Sequence, residues 1–327
     1  MSSGRVLAAV AIALASALFF TLTYVLNRAS AIDGGHWAWT ASLRYFITLP
    51  LLLPLLRGRI RPVLAAIKQS PWPWLGYSAL GFVLFYCLLS FAADSGPSWL
   101  VAGSFQFTVI AGMLCAPFLY RDARRKVPPA AWLIALAILA GVLLMQLSHA
   151  EGGLDAAASL ALVCVLASAV LYPLGNRLLL LHLEKTGQDL DASQRVFGMT
   201  LASQPLWLLV AAHAWRQAGA PSAGQILLAS GVALCAGVIA TILFFKATGM
   251  VRDNPTALAA AEAMQAAELI FAALLGVLFL GEAWPRGGAL YGSLLIIAGI
   301  VLFAWLAARP RLQDRRENCV LRTDHGT

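Results

Sequence analysis

Three polar side chains lie close together inside a long apolar run near the C-terminal end of the sequence. Glu262, Gln265 and Glu268 follow one another at intervals of three residues in the run 255–281. On an α-helix this spacing keeps them within about 120° of one face. The surrounding residues are mostly alanines, which let neighbouring helices approach closely. Because ionisable groups in such a segment commonly mark ion or substrate pathways, the pattern indicates a cavity in which Glu262 or Glu268 binds a cation or a proton.

Basic side chains offer a second interpretation of these glutamates. Arg44, Arg195 and Lys246 also lie within or at the ends of apolar runs, and a permanent ion pair with one of them would make a glutamate purely structural. Arg44 and Arg195 are candidates for gating or charge pairing, or for anchoring an anionic substrate group, since a guanidinium binds carboxylates and phosphates well. The alternative for all three is that the long side chain reaches the membrane interface, where its charge is hydrated.

Neutral polar groups occur in another apolar run, 97–120. Ser104, Gln106 and Thr108 lie near its centre and would give a substrate cavity one uncharged, hydrogen-bonding wall opposite the glutamates. Ordinary hydrogen bonding between helices explains the same residues equally well.

Aromatic residues within the runs are candidates for completing such a cavity. Trp207 lies well inside its run, and Tyr86, Phe105 and Tyr172 lie inside others. Together they would form a lining suited to cationic or planar compounds. The alternative is that these side chains face lipid.

The sequence contains no motif typical of an enzyme. It has no nucleophile elbow, no phosphate-binding loop and no zinc-protease motif. Its five cysteines are scattered without metal-ligand spacing. We therefore expect no catalytic residues, no metal site and no cofactor.

Apolar residues dominate the composition. They make up 60% of the 327 residues, whereas charged residues make up only 12%, about half the share usual in soluble domains. A water-soluble protein of this size has too little interior to hide so much apolar surface. The composition excludes a soluble enzyme, a nucleic-acid-binding protein and a disordered chain, and it predicts an integral membrane protein surrounded by the lipid bilayer.

Ten apolar runs are long enough to cross a bilayer, which needs about 20 residues per helix. Prolines, glycines and an asparagine punctuate the gaps between them. The ten runs predict an all-α integral membrane protein with ten transmembrane helices, over residues 6–27, 36–56, 72–93, 97–120, 129–148, 154–180, 195–215, 224–247, 255–281 and 285–308.

The basic residues are distributed unevenly between the two sides of this arrangement. Of the 23 lysines and arginines, 17 fall at the N-terminus, in the even-numbered gaps and in the C-terminal tail, and three fall in the odd-numbered gaps. Because cytoplasmic loops carry the excess of positive charge, we predict that both termini are cytoplasmic and that the protein is a multi-pass protein of the cytoplasmic (inner) membrane.

Similar residues recur in the same order in the two halves of the sequence. Asn27 and Arg28 lie at the end of the first run, and Asn176 and Arg177 lie near the end of the sixth. A proline opens both the fourth run, at Pro97, and the ninth, at Pro255. The offset between matching residues changes only slightly along the chain, as expected for a diverged internal repeat.

A repeat of five helices must insert its second unit upside down. Inverted repeats are typical of secondary transporters, which bind their substrate near the membrane midplane between the two units. We predict a first five-helix repeat over residues 1–148, a second, inverted repeat over 149–308, and a disordered cytoplasmic tail over 309–327, where the sequence is charged and lacks periodicity.

The sequence resembles the drug/metabolite transporter (DMT) superfamily over nearly its whole length. The resemblance rests on ten helices in two units and on the segment LFLGE, residues 278–282, which closes the ninth run. The segments VLNR, WTASLRY and YPLGNR, at 25–28, 39–45 and 172–177, are similar to its EamA-like branch named multidrug resistance efflux transporters.

The resemblance implies a helical bundle with alternating access that exports small organic compounds in exchange for protons. It also implies a central cavity lined by the first, third, fourth, sixth, eighth and ninth helices. The sequence departs from the small four-helix relatives, whose essential glutamate lies in the first helix, because its own first run has no acidic residue. Proton coupling would then depend on Glu262 or Glu268.

The leading functional hypothesis is a secondary active transporter that exports cationic or aromatic compounds, drug-like or metabolite, by proton antiport. Its partners would be a small-molecule substrate, the proton and the lipid bilayer, with no nucleic acid, and the protein would be monomeric or a weak homodimer. The alternative is a pH-independent facilitator or exchanger for a neutral or anionic metabolite such as an amino acid. A membrane-bound enzyme or scramblase acting on lipid is a third class, against which the lack of a catalytic constellation stands.

Overall fold

The computed structural model describes residues 3–122, 125, 127–150, 155–251 and 254–308. Within these ranges the chain forms helices and short connections, with no β-strand, so the all-α prediction is confirmed for this part of the chain. The tail 309–327, which the sequence predicts to be disordered, lies outside the described residues.

The first half of the described chain begins with two long apolar helices and ends with a third. Between them lie a fourth long helix, Pro71–Ala92, which contains the π-helical stretch Ala79–Leu84, and several shorter helices. In chain order the helices are α1 (Ser3–Ile32), α2 (Trp37–Leu56), α3 (Arg61–Gln69), α4 (Pro71–Ala92), α5 (Ser98–Phe105), α6 (Thr108–Leu114), α7 (Ala116–Leu119) and α8 (Pro129–His149).

The second half also contains both continuous and interrupted helices. A second π-helical stretch, Ala233–Ala240, lies within α12, and a 3₁₀ turn, Met264–Ala266, joins α13 to α14. In chain order the helices are α9 (Ala156–Thr186), α10 (Ala192–Ala202), α11 (Gln204–Ala218), α12 (Ala223–Val251), α13 (Pro255–Ala263), α14 (Ala267–Leu280) and α15 (Gly288–Ala308).

Eight helical segments of the described chain are long and apolar enough to cross a membrane, and α10 and α11, bent by 48°, together make a ninth. One of the eight, Ala260–Leu280, runs from α13 through the 3₁₀ turn into α14. The run 97–120, predicted as one span, is divided into α5, α6 and α7, and its apolar helical stretch is Ser98–Gly112. A proline at position 117 contributes to this division, because it has no N–H to donate to the preceding turn. Eight or nine candidate spans are thus found, and the count of ten stays a prediction.

Side chains that accept a hydrogen bond cap the N-termini of several helices. Asp155, Asp191, Ser222 and Asn254 each accept a hydrogen bond from a backbone N–H of the first turn that follows. At the end of α9, Gly187 adopts a left-handed conformation with φ of 65°, which costs glycine little. These local signals fix the ends of α9, α10, α12 and α13 in the sequence itself.

Glycines allow α8 and α15 to pack closely against each other. A Cβ atom at Gly292 would lie 2.5 Å from the carbonyl oxygen of Gly141, and one at Gly141 would lie 2.8 Å from that of Gly292. No side chain fits at either position without moving the backbone of the partner helix. Small residues bring membrane helices together in this way.

The remaining long helices surround the centre of the molecule. Helix α1 packs against α12 and α14, and α9 packs against α4, α5 and α6. Helix α2 packs against α11 and α12, and α5 packs against α14. The space between these helices forms the cavity described next.

Candidate functional site

A cavity of about 340 Å³ lies between the two halves of the chain. Helices α1, α4, α9, α12 and α14 contribute to its wall, as do α5 and α6 with the residues between them. These elements correspond to the six predicted runs that the family resemblance assigns to a central cavity. Helices α2 and α10 contribute as well, so the wall is more extensive than the resemblance implies.

Nine aromatic side chains contribute to the cavity wall. The ring centroid of Phe85 lies 5.7 Å from that of Phe105 and 4.9 Å from that of Tyr172. The full set of lining rings is Phe20, Tyr24, Tyr45, Phe82, Phe85, Phe105, Tyr172, Phe244 and Phe245. Such walls bind flat apolar groups and, through their π faces, organic cations.

The carboxylate of Glu268 is the acidic group in this wall. The residue is 7% exposed, and its Oε2 atom accepts hydrogen bonds from the Tyr24 hydroxyl at 3.2 Å and from Nε2 of Gln106 at 3.4 Å. Among the described residues no ion pair involves Glu268. A carboxylate in this setting is available to a proton or to a cation in the cavity.

Two interruptions of helical structure place polar side chains at the cavity. Gln106 follows the last residue of α5, and Gln265 lies in the 3₁₀ turn between α13 and α14. Both side chains line the cavity, as does Glu268, in the first turn of α14. Nε2 of Gln265 is buried and has no hydrogen-bond partner among the residues that the structure describes. Irregular backbone at membrane depth is tolerated where it lines such a cavity.

Arg44 contributes a positive charge to the same wall. Its guanidinium carbon lies 3.9 Å from the centre of the Tyr86 ring, and its Nη1 atom is buried without a hydrogen-bond partner in the described part of the chain. In the part of the chain that the structure describes, no ion pair joins Arg44 to Glu268. The cavity therefore presents a guanidinium and a carboxyl group as separate groups.

Several predicted site residues lie outside the cavity. Glu262 and Lys246 are exposed, and neither lines it. Arg195 is half-buried, and its Nη1 atom donates to the carbonyl oxygen of Leu190 at 2.8 Å. Thus Arg44 shares the cavity with Glu268, whereas Arg195 makes a local contact elsewhere.

Ser104 is fully buried next to the lining residue Phe105 but does not line the cavity itself. Its hydroxyl donates to the carbonyl oxygen of Leu100 at 2.8 Å and accepts from Nε2 of Gln146 at 3.0 Å. Of the polar residues predicted in this run, Gln106 and Thr108 line the cavity and Ser104 does not.

Tyr86 and Trp207 support the wall from behind. Neither lines the cavity, and both are fully buried. The Tyr86 hydroxyl donates to Oδ1 of Asn27 at 3.0 Å. The indole of Trp207 stacks on the Tyr45 ring, with centroids 4.5 Å apart and planes 14° apart. These two residues hold Arg44 and Tyr45, which do line the cavity.

The sequence analysis did not single out Tyr24, which donates to Glu268. A signal was present, because Thr21, Thr23 and Tyr24 form a short polar stretch in an otherwise apolar run. Thr23 and Tyr24 both line the cavity. Polar side chains in the middle of a predicted span indicate which face of the helix points away from lipid.

Comparison with known proteins identifies the family to which this chain belongs. The model of the family described as "EmrE: Putative multidrug resistance efflux transporter" matches residues 7–309. The chain belongs to this efflux transporter family. The predicted membership of the DMT superfamily is thereby confirmed, and with its apolar helices this member of the family is a multi-pass membrane protein.

Two bacterial relatives match most of this efflux transporter family member. "Uncharacterized protein YjlA" of Bacillus subtilis (strain 168) is 42% identical over 319 residues, which cover 94% of this chain and 97% of the relative. The "Uncharacterized 42.1 kDa protein in intracellular alkaline protease 3'region" of Shouchella clausii is 35% identical over 276 residues, which cover 82% of this chain and 72% of the relative.

A solved structure, "Crystal structure of protein", has a similar fold. The TM-score is 0.61 at 18% identity, and the match covers 91% of this family member and 97% of the other chain. At this level of identity the likeness concerns the fold alone.

Proposed function

We propose that this protein exports small organic compounds, cationic or aromatic in character, across the cytoplasmic membrane by proton antiport. The observation that carries the proposal is the position of Glu268, a buried carboxyl group without an ion-pair partner among the described residues, in a cavity walled by aromatic rings. The membership of an efflux transporter family supports the same class of activity.

The proposed mechanism is competition for one carboxylate. An organic cation binds with its charge at the ionised Glu268 and its flat apolar body against the rings of Phe105 and Tyr172. A proton taken up by Glu268 removes the negative charge and weakens the binding of the cation. Because one group binds either the proton or the cargo, the inward flow of protons drives the outward flow of the compound.

Alternating access requires two structural units that move against each other, and several features support two inverted units of five spans. Helix α1 packs on α12 as α9 packs on α4, so equivalent runs form equivalent pairs. The two π-helical stretches fall in α4 and α12, the third and eighth runs. The fourth and ninth runs are both interrupted, at Gln106 and at Gln265. In this arrangement α5, α6 and α7 together form the fourth span.

The orientation proposed for the protein follows from its basic residues. With 17 of the 23 lysines and arginines on the side of the chain termini, both termini face the cytoplasm. The cavity then binds its cargo from the cytoplasm and releases it on the opposite side.

Transport driven by an imposed pH gradient tests this function. Purified protein in liposomes is given a fluorescent aromatic cation, ethidium, and its movement against the proton gradient is recorded. We expect gradient-driven transport by the wild type and a loss of about tenfold or more for Glu268→Gln, which corresponds to about 1.4 kcal/mol or more of lost binding or coupling.

Glu262→Gln is the matched control, because it removes a carboxyl group from the same helical run outside the cavity. Its transport is expected to stay within about twofold of the wild type, less than 0.5 kcal/mol. Equal gradient-driven transport by the wild type and Glu268→Gln would refute proton coupling at this residue.

The guanidinium of Arg44 favours one alternative function. Its Nη1 atom is buried in the wall and meets no hydrogen-bond partner within the described ranges, and such a group binds a carboxylate well. A pH-independent facilitator or exchanger of a neutral or anionic metabolite, such as an amino acid, would use it as an anchor. Exchange of a radiolabelled amino acid without a pH gradient, lost in Arg44→Gln, would favour this alternative over the antiporter.

A further inference from the structure

A carboxylate joins two helix ends away from the cavity. Glu282 follows the end of α14, and its Oε1 and Oε2 atoms accept hydrogen bonds from the backbone N–H and the hydroxyl of Ser98, each at 2.7 Å. Nε of Arg28 lies 3.9 Å from Oε1. The Glu282 side chain is only 6% exposed, so these contacts are formed largely out of water.

Neighbouring contacts extend this junction. Nε1 of Trp99 donates to the carbonyl oxygen of Ala283 at 3.1 Å, which is a second link between the start of α5 and the residues after α14. Nη1 of Arg28 donates to the carbonyl oxygens of Ala93 and Asp94 at 3.1 and 2.9 Å. The junction therefore ties together the ends of α1, α4 and α14 and the start of α5. We call Arg28, Ser98 and Glu282 the latch.

A glycine makes room for the latch. A Cβ atom at Gly276 would lie 2.1 Å from Oε2 of Glu282 and 2.6 Å from the hydroxyl oxygen of Ser98. The Glu282 carboxylate can fold back over α14 because this position has no side chain. Gly281, with φ of 65°, turns the chain so that Glu282 reaches this space.

The latch lies at one end of the cavity and beyond its wall. Along α5, Ser98 is eight residues from the lining residue Gln106, about 12 Å at the rise of an α-helix. Along α14, Leu280 is 12 residues from Glu268, about 18 Å. At the other end, the lining residue Val196 is only four residues from the start of α10, about 6 Å. The cavity thus extends toward the end opposite the latch.

The opposite end also carries an ion pair that joins the two halves of the chain. It connects Arg59, between α2 and α3, with Asp191, before α10. Their side chains are 54% and 40% exposed. An exposed pair of this kind contributes little to stability, whereas the buried carboxylate of Glu282 can leave its partners only if water replaces the hydrogen bonds that Ser98 makes.

We infer that Glu282 is the group that holds the latch end of the transporter closed, and that the latch must open when the cavity becomes accessible from that end. The inference rests on the alternating access of the proposed function. It assigns a positioning role to the LFLGE segment. The carboxylate of that segment, on Glu282, binds the start of α5 in the other half of the chain and does not line the cavity.

Distances between two spin labels at the latch end test this inference. The native cysteines are replaced by alanine, and labels are attached at Ser95→Cys and Arg286→Cys, which are exposed and lie outside the latch. Distance distributions are then recorded by pulsed EPR in proteoliposomes. We expect the wild type to show predominantly the short distance, and Glu282→Gln to raise the fraction at a longer distance severalfold.

A second variant separates latch opening from the loss of a charge. Gly276→Ala keeps every charged group but places a methyl group where the Glu282 carboxylate lies, and we expect the same shift toward the longer distance. Asp191→Asn, at the exposed pair of the opposite end, is the control and is expected to leave this distance distribution unchanged. Size-exclusion profiles identify any variant that fails to fold.

An unchanged distance distribution in both Glu282→Gln and folded Gly276→Ala would overturn the latch. That result would leave the proposed transport function standing, because the label distances require no substrate and no pH gradient. Conversely, failure of Glu268→Gln to reduce transport would contradict the proposed proton coupling and leave the distance measurement valid.

Discussion

The guanidinium carbon of Arg44 lies 3.9 Å from the centre of the Tyr86 ring, and the Tyr86 hydroxyl donates to Asn27 at 3.0 Å. One aromatic residue on α4 thereby holds a cation on α2 and an amide on α1. Because Arg44 lines the cavity and Tyr86 does not, the position of the charge at the cavity depends on a residue that has no contact with the cavity itself.

Substitutions of Tyr86 separate these two contacts. Tyr86→Phe removes the hydrogen bond to Asn27 and keeps the ring, so we expect a loss of about 1 kcal/mol of unfolding free energy. Tyr86→Leu also removes the cation–π contact and is expected to cost about 1 kcal/mol more. Denaturant unfolding of the purified proteins in one detergent measures both. Equal stability of Tyr86→Phe and Tyr86→Leu would show that the ring contributes nothing through Arg44.

The close contact of α8 and α15 predicts a strong effect of one methyl group. Gly292→Ala places a Cβ atom 2.5 Å from the carbonyl oxygen of Gly141, and we expect a loss of about 1–3 kcal/mol from overpacking. Gly249→Ala is the matched control, because no atom of the described residues lies within 4 Å of its Cβ position on α12. It is expected to be neutral or to stabilise the helix by up to about 1 kcal/mol. Thermal unfolding measures the stability of both variants. An equal loss of stability in Gly292→Ala and Gly249→Ala would contradict the packing argument.

The aromatic wall predicts weaker binding of an organic cation when a lining ring is removed. Phe105→Leu keeps an apolar side chain but removes the π face, and we expect the apparent affinity for ethidium to fall about fivefold, or about 1 kcal/mol. Phe279→Leu is the control, because Phe279 is 74% exposed on the outside of α14. Fluorescence titration measures both affinities, and an equal affinity of the two variants would argue against binding at this wall.

A histidine at the start of α2 predicts a loss of stability in acid. Nδ1 of His36 accepts from the backbone N–H of Ala38 at 3.3 Å and so caps the helix. Partial burial, together with the nearby His213, lowers the pKa of His36. The unfolded chain therefore binds the proton more tightly, and the stability provided by the neutral ring is lost as the pH falls below the unfolded value of about 6.5.

His36→Asn tests this sign, because asparagine is a good capping residue that does not titrate in this range. We expect its melting temperature to fall less than that of the wild type between about pH 7 and pH 5. His149→Gln, at the end of α8, controls for the removal of any histidine. If the melting temperature of His36→Asn fell with pH as much as that of the wild type, the acid sensitivity would belong to another group.

Sequence reasoning located the region of the site better than its individual side chains. The apolar runs were sufficient to indicate helices, and a polar group within such a run was sufficient to select Gln106 and Glu268. A straight helix also placed Glu262 near the face of Glu268. The 3₁₀ turn at Met264–Ala266 changes the rotation per residue between them, and Glu262 is exposed outside the cavity.

The aromatic residues show a second limit of the sequence. Hydropathy indicates that a ring inside a run is buried, but it does not distinguish a ring that lines a cavity from one that packs behind it. Phe105 and Tyr172 line the cavity, whereas Trp207 lies behind Tyr45. The difference is decided by contacts between helices that are distant in the sequence.

The interruptions at Gln106 and Gln265 also affect how the membrane voltage acts on the protein. Among the described residues, Nε2 of Gln265 is buried without a hydrogen-bond partner, and water that enters the cavity from the end opposite the latch would supply one. The insulating layer would then be reduced to the roughly 18 Å along α14 between Glu268 and the latch end. A charge that crosses this short distance would pass through most of the membrane potential, about 2.3 kcal/mol for each 100 mV.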